Sequence, residues 1–464
     1  PQFQANIIAF ADHLDIAVML ADSVGSEAVE SGSYKIEEIR TQDGYSISAY
    51  YGDDFILKSN NSNTNFMSSY LSLYTLNEIR PMFSFPILNQ GETIERVKET
   101  DPIFYENGLY LGLSETGYKV TFPIKLFKKH AFVSGVPGGG KTNTMLYLVT
   151  NLWLQFRIPF LVLEPAKQEY RALAKIPGME ELCIFSPKAN TRFPLHINPF
   201  EFPIGLTLAE HIANLKAVFE GAFELPPPSP HFIDTCIEQV YIDKGWNTFS
   251  TNNGTLAYPT MQDLYDSLKI AVENSSYEGE IRGNLRAVLE VRVGSLLKRE
   301  IGNVYNVKHS IIRPEEWLDV PAIIELEALG EGPANFMSLL ISTLIRESLK
   351  IRMTVKKNSS KDVNHIIFYE EAHNLIGPDT DSPLGDSVDP KISATKYLVK
   401  MLAEVRALNE GIVIADQLPT VMAPEVLKNP GLKIGHRITA QDDRQLLGST
   451  MSASAAQLEE QASY

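Results

Sequence analysis

Three short stretches carry residues whose types and spacing define a chemistry. The first runs from Gly135 to Thr142 and reads GVPGGGKT, which satisfies the P-loop pattern G-x-x-x-x-G-K-[ST]. Gly135, Gly138, Gly139 and Gly140 let backbone N–H groups close around phosphate oxygens with no Cβ in the way. Pro137 within the loop and Asn143 beside it belong to the same expected cradle. Lys141 is the expected contact to the β- and γ-phosphates, and the Thr142 hydroxyl is the expected ligand of Mg²⁺. The second stretch is NHIIFYEEAHNLIG, where the apolar run Ile366 to Tyr369 delivers Glu370 and Glu371 to a strand end. There Glu370 is the expected acid of the Mg²⁺ shell, its extra methylene suggesting contact through a water, and Glu371 the base that activates water. The third is GIVIADQLPT, a strand ending in Asp416-Gln417. The Gln417 amide is expected to hydrogen-bond both the γ-phosphate and the attacking water. The chemistry these stretches imply is hydrolysis of ATP with Mg²⁺ as cofactor.

Positioning such groups requires a strand before the glycine loop and a helix after it. Ala131 to Gly135 is an apolar strand candidate, and Met145, Leu148, Val149 and Leu152 recur at helical spacing beyond it. Further strand candidates are Pro159–Glu164, Leu182–Phe185, Ala322–Leu326, His365–Glu370, Gly411–Asp416 and Lys433–Ile438. Each is short and apolar on both faces, as a parallel sheet covered by helices on both sides requires. The fold class is therefore α/β with a central, mostly parallel sheet. Gly108 to His130 is expected to form a hairpin leading into the P-loop strand. From about Leu206 to Val307 the pattern is mostly helical, an insertion in which the proline run LPPPSP, Leu225 to Pro230, is expected to be a loop. Residues 1–95 differ in character and are expected to form a small accessory domain, α+β or β-rich, with residues 96–464 as the larger domain. In the smaller one, Ile7 to Ala21 reads as an apolar helix. The segments beginning at Tyr34 and Tyr45 read as strands, and Ser59 to Phe66 as a loop. The final residues, SASAAQLEEQASY, read as a helix with no stop signal. Because the first residue is Pro1, sequence is expected before it, as it is beyond Tyr464.

Bulk properties narrow the partners. A net charge of −16 argues against a surface that coats nucleic acid over its whole extent, while leaving room for a locally basic channel. Apolar runs stay short of the ~18 residues that suggest a membrane span, so no membrane partner is expected. The cysteines, Cys183 and Cys236, make neither a disulfide framework nor a metal cluster, which points to a reducing cytoplasm. Lys125 to His130 (KLFKKH) and the group Lys350, Arg352, Lys356 and Lys357 read as solvated faces. Neither has the interleaved aromatics of a nucleic-acid reader, so sequence-specific DNA recognition is not indicated.

Taken in order, these pieces resemble the HerA/FtsK family of P-loop ATPases, and within it the HerA-like branch. The resemblance spans about Gly108 to Tyr464. It rests on His130 before the P-loop strand, LVLEPAKQEYRAL, PAIIELEALGEG, YEEAHNL, EVRALNEGIVIADQLPT and IGHRITAQDDRQLLG. The letters EEAH also invite comparison with DEAH-box RNA helicases, but there the acidic motif follows the P-loop much more closely. The HerA-like resemblance implies a RecA-like P-loop domain in a homohexameric ring that translocates or unwinds double-stranded DNA, with a nuclease or other effector as partner. It also implies residue roles. Glu164, at the end of the second strand, would help order metal and water. Arg406 or Arg437 would serve as an arginine finger to the neighbouring subunit, and His130 would pack near the nucleotide or serve structurally. One rival reading is an assembly ATPase that scaffolds and switches an effector with little DNA movement. Another, from similar folds, is a protein-secretion ATPase.

Overall fold

The computed structural model describes residues 108–114, 117–188, 191–355, 362–377 and 390–462, with short segments at 2–5, 18–19, 45–49, 55–59 and 72–75. The chain divides into two compact units, Pro1–Thr100 and Asp101–Tyr464. In the first, strands β1 (Gln2–Ala5), β2 (Tyr45–Ala49), β3 (Phe55–Ser59) and β4 (Ser72–Thr75) pair antiparallel, β1 with β4 and β2 with β3. The expected helix at Ile7–Ala21 is described only at 18–19, where the backbone is helical. The Tyr34 strand and the loop after Ser59 lie outside the described residues.

The second unit opens with an antiparallel hairpin, β5 (Gly108–Leu113) and β6 (Lys119–Pro123), then a 3₁₀ segment, Ile124–Lys129, that leads to His130. Beyond it lies a sheet of eight strands: β7 (Ala131–Ser134), β8 (Phe160–Glu164), β9 (Cys183–Ser186), β10 (Phe193–Pro194), β11 (Ala322–Glu325), β12 (His365–Tyr369), β13 (Glu410–Asp416) and β14 (Leu432–Gly435). Their order is β10-β9-β11-β8-β12-β13-β7-β14, and all the pairings are parallel. Two apolar layers explain why these strands lack polar alternation. Phe132, Leu161, Leu163, Ile367 and Ile414 join one core, while Val133, Phe160, Val162, Phe368 and Val413 join the other. The register brings the ends of β7, β8, β12 and β13 level: Ser134 lies opposite Asp416, and Tyr369 opposite both Leu163 and Ile414. Four strand ends thus open on one edge of the sheet, where α/β ligands bind.

β10 was not expected, because two residues are too short to show a period. β14 stops at Gly435 rather than at Ile438. Helix α1 (Lys141–Phe156) follows the P-loop. Between β10 and β11 run α2 (Leu208–Ala222), α3 (Ser229–Asp243), α4 (Met261–Glu273), α5 (Gly279–Ser295) and α6 (Arg299–Tyr305). The proline run is not all loop: α3 takes in Ser229 and Pro230, because proline fits a helix's first turn, where its missing N–H has no partner to lose. Helix α7 (Glu331–Val355) is buried continuously from Phe336 to Leu349, and α8 (Pro390–Ala407) precedes β13. Last come α9 (Pro424–Lys428), α10 (Gln441–Met451) and α11 (Ala455–Glu460). Helix α11 ends at Glu460 despite the missing stop signal. The reason is tertiary: the Gln461 Nε2 donates to His436 O at 3.2 Å and its carbonyl accepts from Ile438 N at 3.3 Å. Both cysteines are free thiols. Among the described residues, no helix is long and apolar enough to cross a membrane.

Candidate active site

The glycine loop leaves the end of β7 and turns into α1 through two residues in the left-handed region, Gly138 (φ +74°) and Gly140 (φ +101°), where a side chain would be strained. Gly140 caps α1, so the helix presents its free N–H groups and positive dipole end to the loop. The Lys141 Nζ donates to Gly135 O at 2.6 Å and to Val136 O at 3.3 Å. Burial lowers its proton affinity, while Glu371, Asp416 and Glu370 across the cleft raise it.

The back of the loop is clamped by the segment after β14. The His436 N–H donates to Ser134 O at 2.7 Å, and the Val136 N–H to Arg437 O at 2.9 Å. The His436 Nε2 lies 2.9 Å from Thr144 Oγ1. Burial and then the Lys141 charge lower the proton affinity of this imidazole. A Cβ on Gly135 would stand 2.5 Å from the His436 Cβ. Gly135 therefore works at the rear of the loop, and the Gly139 N–H is taken by Val136 O at 3.0 Å, whereas the sequence placed both in the phosphate cradle. On this side the cleft is lined by Pro137, Gly138, Gly140, Lys141, Thr142, Asn143 and Leu146. Gly135→Ala is expected to push His436 outward, costing ~1–3 kcal/mol of overpacking. A lowered thermal midpoint together with weakened nucleotide binding would register it; an unchanged midpoint would contradict the clamp.

Across a cleft of about 470 Å³ stand Glu370, Glu371, Ala415 and Gln417 from the strand ends, with Lys167 and Glu169 from the loop after β8. Glu371 adopts φ +46°, a left-handed conformation that costs a non-glycine residue about 1–2 kcal/mol. Its Oε1 accepts a hydrogen bond from Gln417 Nε2 at 2.7 Å. The Glu370 Oε1 accepts from the Tyr170 hydroxyl at 2.6 Å. Burial raises the Glu370 carboxyl above the ordinary carboxylate range, and the Tyr170 bond partly offsets this.

Glu164 is only 2% exposed and stands behind this wall rather than on it. Its Oε1 accepts from the Glu169 N–H at 2.7 Å. Burial pushes the carboxyl up to about 8, against the backbone hydrogen bonds from Glu169 and Tyr170, with Glu370 and Glu325 adding to the shift. What it organises directly is the loop that carries Lys167, Glu169 and Tyr170. Arg171 pins the same loop through a bidentate pair with Glu325 at 2.5 and 2.9 Å.

The arginines stand apart from the cleft. Arg406 is exposed on the last turn of α8, beside His130 at the strand-start edge of the sheet. Arg437 is exposed just past β14, and its carbonyl accepts from the P-loop's Val136 N–H. His130 is structural: its Nε2–H donates to Leu402 O at 2.8 Å and its Nδ1 accepts from the Ile412 N–H at 3.2 Å. It immediately precedes β7, whereas the phosphate loop follows that strand's end. The basic pair on α7 is already partnered, Lys350 with Glu210 at 2.6 Å and Arg352 with both oxygens of Asp319 at 2.9 and 2.6 Å. Lys356 and Lys357 lie outside the described residues. Reading the sequence missed Tyr170, Lys167, Glu169, His373 and His436 as members of the site. Lys167 and Tyr170 lie within LVLEPAKQEYRAL, but nothing in that segment shows which acid Tyr170 meets.

No protein-family model matches the chain, and no curated protein matches it in sequence. The solved structure of VirB4 of Thermoanaerobacter pseudethanolicus is similar, with a TM-score of 0.55 and 17% identity over 77% of this chain and 91% of that one. The fold is that of a RecA-like P-loop ATPase. Two structures of the coupling protein TrwB are more distant. The unbound bacterial conjugative form has a TM-score of 0.44 at 14% identity, over 73% of this chain and 70% of that one. The complex with ADP and Mg²⁺ has 0.43 at 13%, over 73% and 72%.

Proposed function

We propose that this chain hydrolyses ATP at the cleft between its P-loop and the ends of β12 and β13. The observation that carries this is the Gln417–Glu371 hydrogen bond, 2.7 Å, on the wall facing Lys141 and Thr142. An amide and a carboxylate side by side on that wall support this reading, because an attacking water needs to be oriented and deprotonated. Glu371 accepts the proton, Gln417 orients the water, and Lys141 holds the terminal phosphates. Thr142 and Glu370 would hold Mg²⁺; a hydroxyl and a carboxylate are the hard oxygen donors this ion prefers, with phosphates completing its shell. The ion would neutralise charge on the phosphate oxygens.

The finer reading is a HerA-like homohexamer that moves double-stranded DNA, working with a nuclease or other effector. The ordered motifs from His130 to Gly448 support it, and so does the exposure of Arg406 and Arg437, since a finger supplied to a neighbouring subunit must stand free of its own core. The net charge of −16 and the internal pairing of Lys350 and Arg352 favour a second reading, a ring that scaffolds and switches an effector. ATP turnover measured with and without double-stranded DNA separates the two. The translocase reading expects several-fold stimulation that weakens as salt rises, because the grip is on phosphates. A rate indifferent to DNA at low salt would overturn that reading and leave the scaffold.

A further inference from the structure

His373 lies between two carboxylates on the turn that follows the glutamate pair. Its Nδ1 is 3.0 Å from Asp416 Oδ2 and 3.6 Å from Glu371 Oε2. Its backbone N–H donates to the same Asp416 Oδ2 at 2.8 Å. Asp416 is fully buried, and its Oδ1 accepts from the Leu418 N–H at 3.0 Å. Two backbone donors therefore fix the aspartate, and the aspartate fixes the imidazole. Both neighbours of Nδ1 are acceptors when ionised, so this nitrogen carries the hydrogen. Glu371 is asymmetric in turn: its Oε1 is held by Gln417, while its buried Oε2 has no hydrogen-bond partner among the described residues. The group standing beside that oxygen is the His373 ring. Asp416 and Gln417 are adjacent on the tip of β13, so one strand end orients both the amide on Oε1 and the imidazole facing Oε2.

We propose that His373, oriented by Asp416, is a positioning residue for Glu371. With Gln417 on one oxygen and the His373 ring, its Nδ1–H given to Asp416, standing 3.6 Å from the other, the carboxylate plane is set toward the cleft while its backbone stays in the left-handed region. A carboxylate so held accepts the proton of water without first rotating into place, so the effect belongs to turnover and not to nucleotide binding. The inference rests on Glu371 being the base of ATP hydrolysis. The structural alternative is that the Asp416–His373 pair merely fastens the turn after β12.

Steady-state ATP hydrolysis by the full chain, combined with binding of a fluorescent ADP analogue, distinguishes these. His373→Ala is expected to lower kcat by about ten- to a hundredfold, with KM and analogue affinity changed by about twofold or less. His373→Asn places an amide N–H near the Nδ1 position and should recover more activity than His373→Gln, whose amide reaches past it. In a Glu371→Gln background, His373→Ala should cost nothing further, because a residue that acts through Glu371 has nothing left to position. An unchanged kcat in His373→Ala, an equal loss in both backgrounds, or a raised KM with kcat intact would overturn the proposal. If His373→Ala does not fold, equal rates for the Asn and Gln variants would overturn it instead. A fully active Glu371→Gln would refute the base assignment itself, which is a separate failure.

Discussion

Glu371→Gln is expected to lower ATP turnover by about 10²–10⁴-fold, the range a positioned general base contributes, while nucleotide and Mg²⁺ still bind. The amide keeps the shape of the side chain and loses the basic oxygen that, on the proposed reading, would take the proton from water. The structure separates the two neighbouring acids in a way their letters do not. Glu370 is committed to the Tyr170 hydroxyl at 2.6 Å and is held by burial above the ordinary carboxylate range. Glu371 lines the cleft and shares its Oε1 with Gln417. Glu370→Gln is accordingly expected to weaken the Mg²⁺ dependence first. Turnover titrated against Mg²⁺ for both variants checks the assignment. If Glu370→Gln binds normally and loses only chemistry while Glu371→Gln stays active, the two roles are reversed.

Lys141→Ala is expected to abolish measurable hydrolysis, a loss of about 10²–10³-fold or more, as for removal of a donor aimed at developing charge. The fold should survive. Among the described residues the Nζ donates to the loop carbonyls of Gly135 and Val136, and α1 is anchored by Met145, Leu148, Val149, Leu152 and Trp153 in the core. Glu370, whose proton affinity the Lys141 charge lowers, loses that nearby cation. Thermal unfolding run beside the ATPase assay separates the effects. A folded Lys141→Ala protein with normal turnover would sink the P-loop assignment.

Local pattern was enough for much of this protein. The glycine spacing from Gly135 to Thr142, the apolar runs at Ile366–Tyr369 and Gly411–Ala415, and the polar residues that end them all lie within a few positions of one another. Backbone geometry and hydrophobic period act over that same range, so a covered parallel sheet and a phosphate loop with acids at a strand tip could be read directly. Strand order could not. β7 comes first in the chain among the sheet strands yet lies between β13 and β14, and β8 lies between β11 and β12. Only that order brings Tyr170 to Glu370 across 200 residues and seats His436 against Gly135. The same holds for burial. Glu164 looked like one more acid at a strand end, but it is buried behind the cleft wall, and that burial, with Glu370 and Glu325 nearby, pushes its carboxyl up. Arg406, adjacent in sequence to the Gln417 strand, stands at that strand's opposite end, because a helix running back to a parallel strand must finish where the strand begins. Residue type and spacing decided which chemistry was possible. The strand order and the layers packed over it decided which side chains reach the cleft, because those contacts depend on separations through space that no local pattern encodes.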